Sequence, residues 1–317
     1  MLLLLSLFAC VSPDAPVDAD STETFVLEVP KGSTANGLAD DLVGVGFVGS
    51  ALEWKLFLRQ RDASCLKAGS FEVSLSMSLN QLVDTVCGPP MADDVAFTML
   101  EGWRIRDTDA ALAAAGLIEA GAYIAAAEGK TVEPPFPITS PTFEGYLYPE
   151  TYMVPASAVD PGMLLTRQLA TFKERFVSNN ADLGKRTLHE IVVMASMLER
   201  EEPNPDNRPL VAGILWKRID TNNALGVDAT SRYTIENWND RSAFLAQLRD
   251  PDDPYNSRLR KGLPPTAIGA PTVESLEAAM NATKSEYWYY LHDSEGNLHP
   301  GRNAAEHEAL RKKYNVY

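Results

Sequence analysis

From Leu188 to Glu202 nothing in the chain interrupts a helix, and Pro203 and Pro205 stop it. Leu188, Val192, Ala195 and Glu199 recur at helical spacing, so this run places one carboxylate at the end of an apolar face. Glu190 and Glu201 point elsewhere, where solvent suits them. A carboxyl at the end of an apolar face is stripped of water, and a desolvated carboxyl is what a general acid requires. The plainer alternative is an amphipathic helix whose last turn becomes polar.

The front of the chain carries an internal repeat. Phe25 to Gly32 leads into Leu38 to Gly46, and seventy residues later Ala96 to Gly102 leads into Ala110 to Gly116. Gly32 aligns with Gly102, Leu42 with Leu112 and Gly46 with Gly116. Each copy has the order strand, Gly turn, helix, then Gly at the helix end. Between the copies the sequence predicts a helix over Ala51 to Arg59, a strand over Leu66 to Val73 and a helix over Ser78 to Val86. A helix folding back along its strand brings Cys87 near Cys65. A disulfide between them is expected in an oxidising compartment, and two unpaired buried thiols are the alternative. The stretch from Gly129 to Pro141, with Pro134, Pro135 and Pro137 inside it, has the composition of a hinge. The resulting division is a leader and tether at 1–23, a small α+β module at 24–91, a second strand–helix unit with hinge at 92–137, and a larger α+β domain at 138–317.

Composition excludes several classes. With 45% hydrophobic content in 317 residues the chain can bury a substantial core, and its net charge of −15 argues against a nucleic-acid surface. Four scattered His, with no Cys-x-x-Cys or His-Glu-x-x-His pattern, give no metal site. No phosphate-cradling Gly loop is present, and no cofactor is expected.

Phe143 to Tyr152 is aromatic and alternates, so an extended segment is expected, with Tyr146, Tyr148 and Tyr152 on one face. Such rings stack on sugars or pack in a core. Arg208 to Ile219 has the pattern of an amphipathic helix. Trp238 to Tyr255, acidic and Pro-containing, is expected to be a solvated insertion; the alternative is one wall of a groove.

The Phe-Glu-Gly-Tyr-Leu-Tyr-Pro-Glu-Thr-Tyr segment at 143–152, followed by Ala-Ser-Met-Leu-Glu-Arg-Glu at 195–201, resembles the YceG-like family of endolytic murein transglycosylases. The resemblance continues through Leu225 to Thr230, Tyr255-Asn256, Lys261 to Pro265, Tyr289 to Leu291, His299 and His307. It implies that Glu199 is the catalytic acid and that 24–91 is similar to the family's LysM-like portion. It also implies a peptidoglycan substrate cut within glycan strands near a membrane, with peptidoglycan synthases as candidate partners. Glu144, Tyr146, Tyr148, Asp228, Thr230, Tyr255, Asn256 and His299 become candidate substrate contacts. Glu144 could instead serve as a partner of the backbone. The chain departs from the family pattern at Gly226, Val227, Ala229, Ser257, Arg258, Thr266, Thr272 and Gly301. Those losses admit a catalytically silent peptidoglycan-binding lipoprotein as the alternative. An aminodeoxychorismate-lyase activity would need a Schiff-base Lys and a phosphate cup in a cytosolic setting, and is rejected.

Leu7-Phe8-Ala9-Cys10 resembles a bacterial lipobox after an apolar run, so export with a lipid on Cys10 is expected. A truncated start hiding a transmembrane anchor is the alternative. Both place residues 24–317 in the cell envelope, outside the cytoplasm.

Overall fold

The computed structural model describes residues 13–316 except 22, 23, 31, 92, 93 and 157. The fold is mixed α+β, with small two-stranded sheets and many helices, and divides into two units at Asp94. Cys10 lies outside the described residues. Among those residues no helix is long and apolar enough to cross a membrane.

In the first unit, β1 (Phe25–Val29) pairs antiparallel with β2 (Gly69–Val73), Phe25 opposite Val73 and Val29 opposite Gly69. Leu27, Val29, Phe71 and Val73 are buried, as the period-two alternation of a half-covered sheet requires. Two helices lie between the strands, α1 (Ala39–Gly44) and α2 (Ala51–Phe57), and α3 (Leu79–Cys87) follows β2. Ser50 caps α2, and Ser78 with Gln81 forms a capping box on α3. The core gathers Leu42, Phe47 and Trp54, whose indole donates to the Ala35 carbonyl at 2.6 Å. A disulfide joins Cys65, just before β2, to Cys87 at the end of α3, with Cα atoms 5.1 Å apart.

The second unit opens on β3 (Asp94–Thr98), which pairs with β4 (Thr151–Pro155). Between them stand α4 (Ile105–Ala114) and α5 (Ala122–Glu128). The front repeat is visible in the backbone. Gly32 and Gly102 have φ of +89° and +73°, Gly46 and Gly116 have +86° and +72°, and Leu42 and Leu112 are fully buried. After β4 come α6 (Pro161–Arg175), α7 (Leu188–Glu201), α8 (Arg208–Asp220), α9 (Asp228–Tyr233), α10 (Arg241–Gln247) and α11 (Val273–Met280). A hairpin of β5 (Tyr289–His292) and β6 (Leu298–Gly301) precedes α12 (Ala304–Tyr314).

The expected helix at 188–202 is α7, started by a Thr187–Glu190 capping box and buried on every side from Ile191 to Leu198. Helix α8 is buried all round from Val211 to Trp216, so the expected amphipathic pattern gives way to burial. The Pro-rich stretch is not a free hinge. Lys130 donates to the carbonyls of Ile138 and Ser140, and Phe136 is buried against the Phe172 ring at 5.5 Å. Residues 95–137 thus share one core with the rest of the unit. The segment 238–255 is also less loose than its composition suggests, because it contains α10 and tucks Trp238 against Arg200.

Phe143 to Glu150 is not extended. It is a buried turn in which Gly145 has φ +85°, and a Cβ there would stand 2.3 Å from Ala267 Cβ and 2.8 Å from Val192 of α7. Only glycine lets this turn lie on the central helix, and the strand begins at Thr151.

Candidate active site

Glu199 lies in the last turn of α7, where the apolar face ends. Its side chain is 7% exposed, and it is not a lone carboxyl. Arg208 Nη2 donates to Oε1 at 3.0 Å, and Thr272 donates twice to Oε2, from its amide at 2.8 Å and from its hydroxyl at 2.7 Å. Arg208 is itself held by the Glu202 carbonyl, which accepts from Nε at 3.0 Å. The Thr272 oxygen accepts from Arg208 Nη1 at 3.3 Å and caps α11 by accepting from Ser275 N. Three elements therefore fix one carboxylate: α7 carries it, the start of α8 supplies the cation, and the cap of α11 supplies two donors.

Local sequence explains the arrangement. Pro203 and Pro205 turn the chain after α7 and bring Arg208 back beside the helix end. Ser196, one turn before Glu199, donates to the Val193 carbonyl and accepts the Ile268 amide at 3.0 Å. That bond docks the 266–272 loop onto α7 and delivers Thr272 to the carboxylate.

The other acidic groups near the end of α7 have separate partners. Glu201 does not face solvent. It accepts from Ala229 N at 3.1 Å and from the Tyr290 hydroxyl at 3.3 Å, and burial raises its pKa. Glu202 is fully buried, with His292 Nε2 at 3.0 Å. These two carboxylates tie the β5–β6 hairpin to α7.

Glu144 is buried and accepts from Ile105 N at the start of α4 and from Tyr233 OH at 3.1 Å. Burial pushes its pKa up to about 7, against the lowering pull of those two hydrogen bonds. Its role as a backbone partner is therefore the one with geometry behind it.

Several expected substrate contacts are placed elsewhere. Tyr146 is 1% exposed, packs between Phe136 and Phe172, and reaches His189 Nδ1 at 3.1 Å. Tyr148 is buried too, and its carbonyl accepts from Tyr152 OH at 2.7 Å. The Tyr146 ring is enclosed by the core, whereas Tyr148 approaches Val273, the residue after Thr272. Asn256 is fully buried, with its amide spread over the carbonyls of Gln247, Leu248 and Asp250, so it holds the chain after α10. Thr230 is fully buried, with its hydroxyl 2.8 Å from the Val227 carbonyl and 2.9 Å from Ser257 Oγ.

His299 is opposite Leu291 in the hairpin, whereas Tyr290 and His292 on the other face meet Glu201 and Glu202. It therefore points away from α7, bonded to Asp293 at 2.8 Å and stacked on Tyr314. Two candidates remain partly open. Asp228 is 44% exposed and pairs with Arg258 at 2.8 Å; Tyr255 is half-buried beside Tyr233, its hydroxyl 2.7 Å from Thr266 Oγ1.

Arg208 and Thr272 were missed as partners of Glu199. Arg208 did carry a signal: a cation at the first position of a helix stands against the helix dipole and needs an anion nearby. Thr272 stood out only as a departure from the family pattern, with nothing to say that its hydroxyl meets Glu199. Among the described residues no cluster of His, Cys, Asp and Glu could hold a metal ion.

The YceG-like family model matches residues 27–313. An endolytic murein transglycosylase of Bacillus subtilis strain 168 is 26% identical over 316 residues, covering 94% of this chain and 87% of that protein. One of the same description from Streptococcus pneumoniae serotype 2 strain D39 is 23% identical over 329 residues, covering 92% of this chain but 59% of that protein. A crystal structure of a YceG-like protein from Listeria monocytogenes matches with a TM-score of 0.60 at 23% identity, covering 92% of this chain and 100% of that one.

Proposed function

The chain belongs to the YceG-like family, and from that membership we propose that it is an endolytic peptidoglycan lytic transglycosylase with Glu199 as its catalytic acid. One observation carries the residue assignment. Glu199 is a 7%-exposed carboxyl that ends the apolar face of α7 at the place of the family motif's catalytic glutamate, and its guanidinium, amide and hydroxyl partners suit the carboxylate that takes up a proton in the second step. For the first step Glu199 must first take up a proton in exchange for one of these donors; it then gives that proton to the glycosidic oxygen between N-acetylmuramate and N-acetylglucosamine, and the C1–O bond breaks. The carboxylate left behind is stabilised by Arg208. It then takes the proton of the muramyl C6 hydroxyl as that oxygen closes on C1, giving the 1,6-anhydro product. The nucleophile belongs to the substrate, so the second protein carboxylate of a paired-acid hydrolase is not needed.

The silent-binder alternative rested on departures that have structural uses here. Gly226 adopts φ +64°, Val227 is fully buried, and Arg258 pairs with Asp228. Ser257 bonds Thr230 and the Val227 amide at 2.9 Å. For residues 24–91 a LysM-like glycan-binding role is supported by two helices enclosed between antiparallel strands. An envelope location, with Cys10 lipidated and peptidoglycan synthases nearby, completes the reading.

The test is digestion of purified murein by the full chain. Anhydromuramyl ends should appear with an early fall in mean strand length. Glu199→Gln, read together with its melting curve because it leaves the buried Arg208 without a carboxylate, should cost at least about a hundredfold in turnover while glycan binding persists. Products with only hydrated muramyl ends would overturn the transglycosylase assignment, and release of disaccharides from strand ends would overturn endo-action.

A further inference from the structure

Next to Glu199, but on another side of α7, stands a group of arginines that the mechanism does not use. Arg200 Cζ stands over the Trp238 ring, 3.7 Å from its centre, and its one hydrogen bond is to the Gly102 carbonyl at 3.4 Å. Arg232 donates to the Trp238 carbonyl at 2.8 Å and covers the Phe244 ring, while Arg106 is over Tyr233. All three are half-buried, and none takes part in an ion pair among the described residues.

Arg104 beneath them is 1% exposed, and Asp107 is the carboxylate that partners it, with both oxygens engaged. Burial, with Arg104 and Arg232 adding to it, pushes the Arg200 guanidinium below its ordinary value, and Asp107 and Glu199 oppose the shift. Glu101 and Glu236 are exposed and form no ion pair with the group. Asp107 is engaged by Arg104 and Glu199 by Arg208, so the guanidiniums on the aromatic faces outnumber the carboxylates near them, and an anion from outside would balance the excess.

The distance from the acid is short. Arg200 rests on Gly102, whose amide donates to the Ala270 carbonyl at 2.8 Å, and Thr272 touches Glu199 two residues further on. Arg200 is also the residue next to Glu199 in α7. The geometry points to Arg200, supported by Arg232, which meets the same Trp238, as a subsite for a carboxylate carried by the muramyl residue beside the scissile bond. This inference rests on the peptidoglycan substrate proposed above. The sugar rings of that polymer are neutral. Its carboxylates hang from muramate, either as the free lactyl group or on the peptide attached to it.

The experiment measures dissociation constants of the full chain carrying Glu199→Gln for three probes: a neutral N-acetylglucosamine oligomer, peptide-free murein strands with free lactyl carboxylates, and uncrosslinked peptide-bearing strands. Adding Arg200→Gln should weaken at least one anionic probe about tenfold and the neutral oligomer less than about twofold, the scale of one charge-assisted hydrogen bond. Whichever anionic probe suffers identifies the source of the carboxylate. Arg232→Gln, checked for an unchanged melting curve, should act in the same direction, and Arg200→Lys should recover part of the loss.

Equal weakening of the neutral oligomer, or no weakening of either anionic probe, would overturn the subsite. If the wild-type chain cleaves murein to anhydromuramyl ends yet shows no such discrimination, the subsite alone fails. If it discriminates without cleaving, the activity fails and the subsite stands.

Discussion

Arg208 occupies the first position of α8, where exposed helix amides already make the surroundings positive. It is stable there because Glu199 and the Glu202 carbonyl take its donors. Both partners of the pair are more than nine-tenths buried, so removing one strands the other. Arg208→Met should destabilise the second unit by about 3–5 kcal/mol in urea unfolding. Arg208→Met with Glu199→Gln should recover most of that loss, since no buried charge is left unpaired. Additive losses in the two variants would show that the pair is not what holds this corner.

At this scale the burial of Glu199 was legible from the apolar face that it ends, while its proposed role as the acid comes from the resemblance at 195–201. The tyrosines and Asn256 were not. An aromatic ring or an amide has the same letter in a core as on a sugar platform, and only the three-dimensional turn around Gly145 decides which.

The elements were most legible where glycine or a cap forces the backbone. The two strand–Gly–helix copies were found through Gly32, Gly46, Gly102 and Gly116, all of which adopt positive φ. Phe143 to Glu150 was misjudged because aromatic alternation imitates a strand, although Gly145 inside it was a warning. The same turn supplies Glu144 to the start of α4, which gives that junction a pH dependence. Glu144 in the folded chain holds its proton up to about pH 7, while the unfolded chain loses it near the ordinary glutamate value of 4.5. Between those values the folded state binds more protons, so stability is full below the lower value and falls as pH rises through the window. The loss is on the order of 3 kcal/mol at most. Glu144→Gln should flatten the fall in melting temperature of the second unit between pH 5 and pH 8; an unchanged slope would mean that another group carries it.

At the scale of the whole molecule, the sequence set a small front module apart near residue 91, and the structure divides the chain at Asp94. Pro-rich composition suggested a further break after residue 137. That break is absent because Phe136 is buried in the core that also contains α7. Prolines fix the path of a loop, but they do not say whether a neighbouring aromatic anchors it. The two cores share no residue, and the disulfide belongs wholly to the first, between Cys65 and Cys87. Calorimetry of the intact chain should therefore resolve two transitions. The bridge closes a loop of sequence separation 22, and its removal should cost the first unit roughly 3 kcal/mol by the chain-entropy rule. For a unit of that size the corresponding fall in its transition is roughly 10–20 °C. Reduction, or Cys65→Ser with Cys87→Ser, should move that transition alone, and murein cleavage assayed below both transitions should continue. A reductant that lowered both transitions together would show that the two cores melt as one, and the division at Asp94 would not be a division in stability.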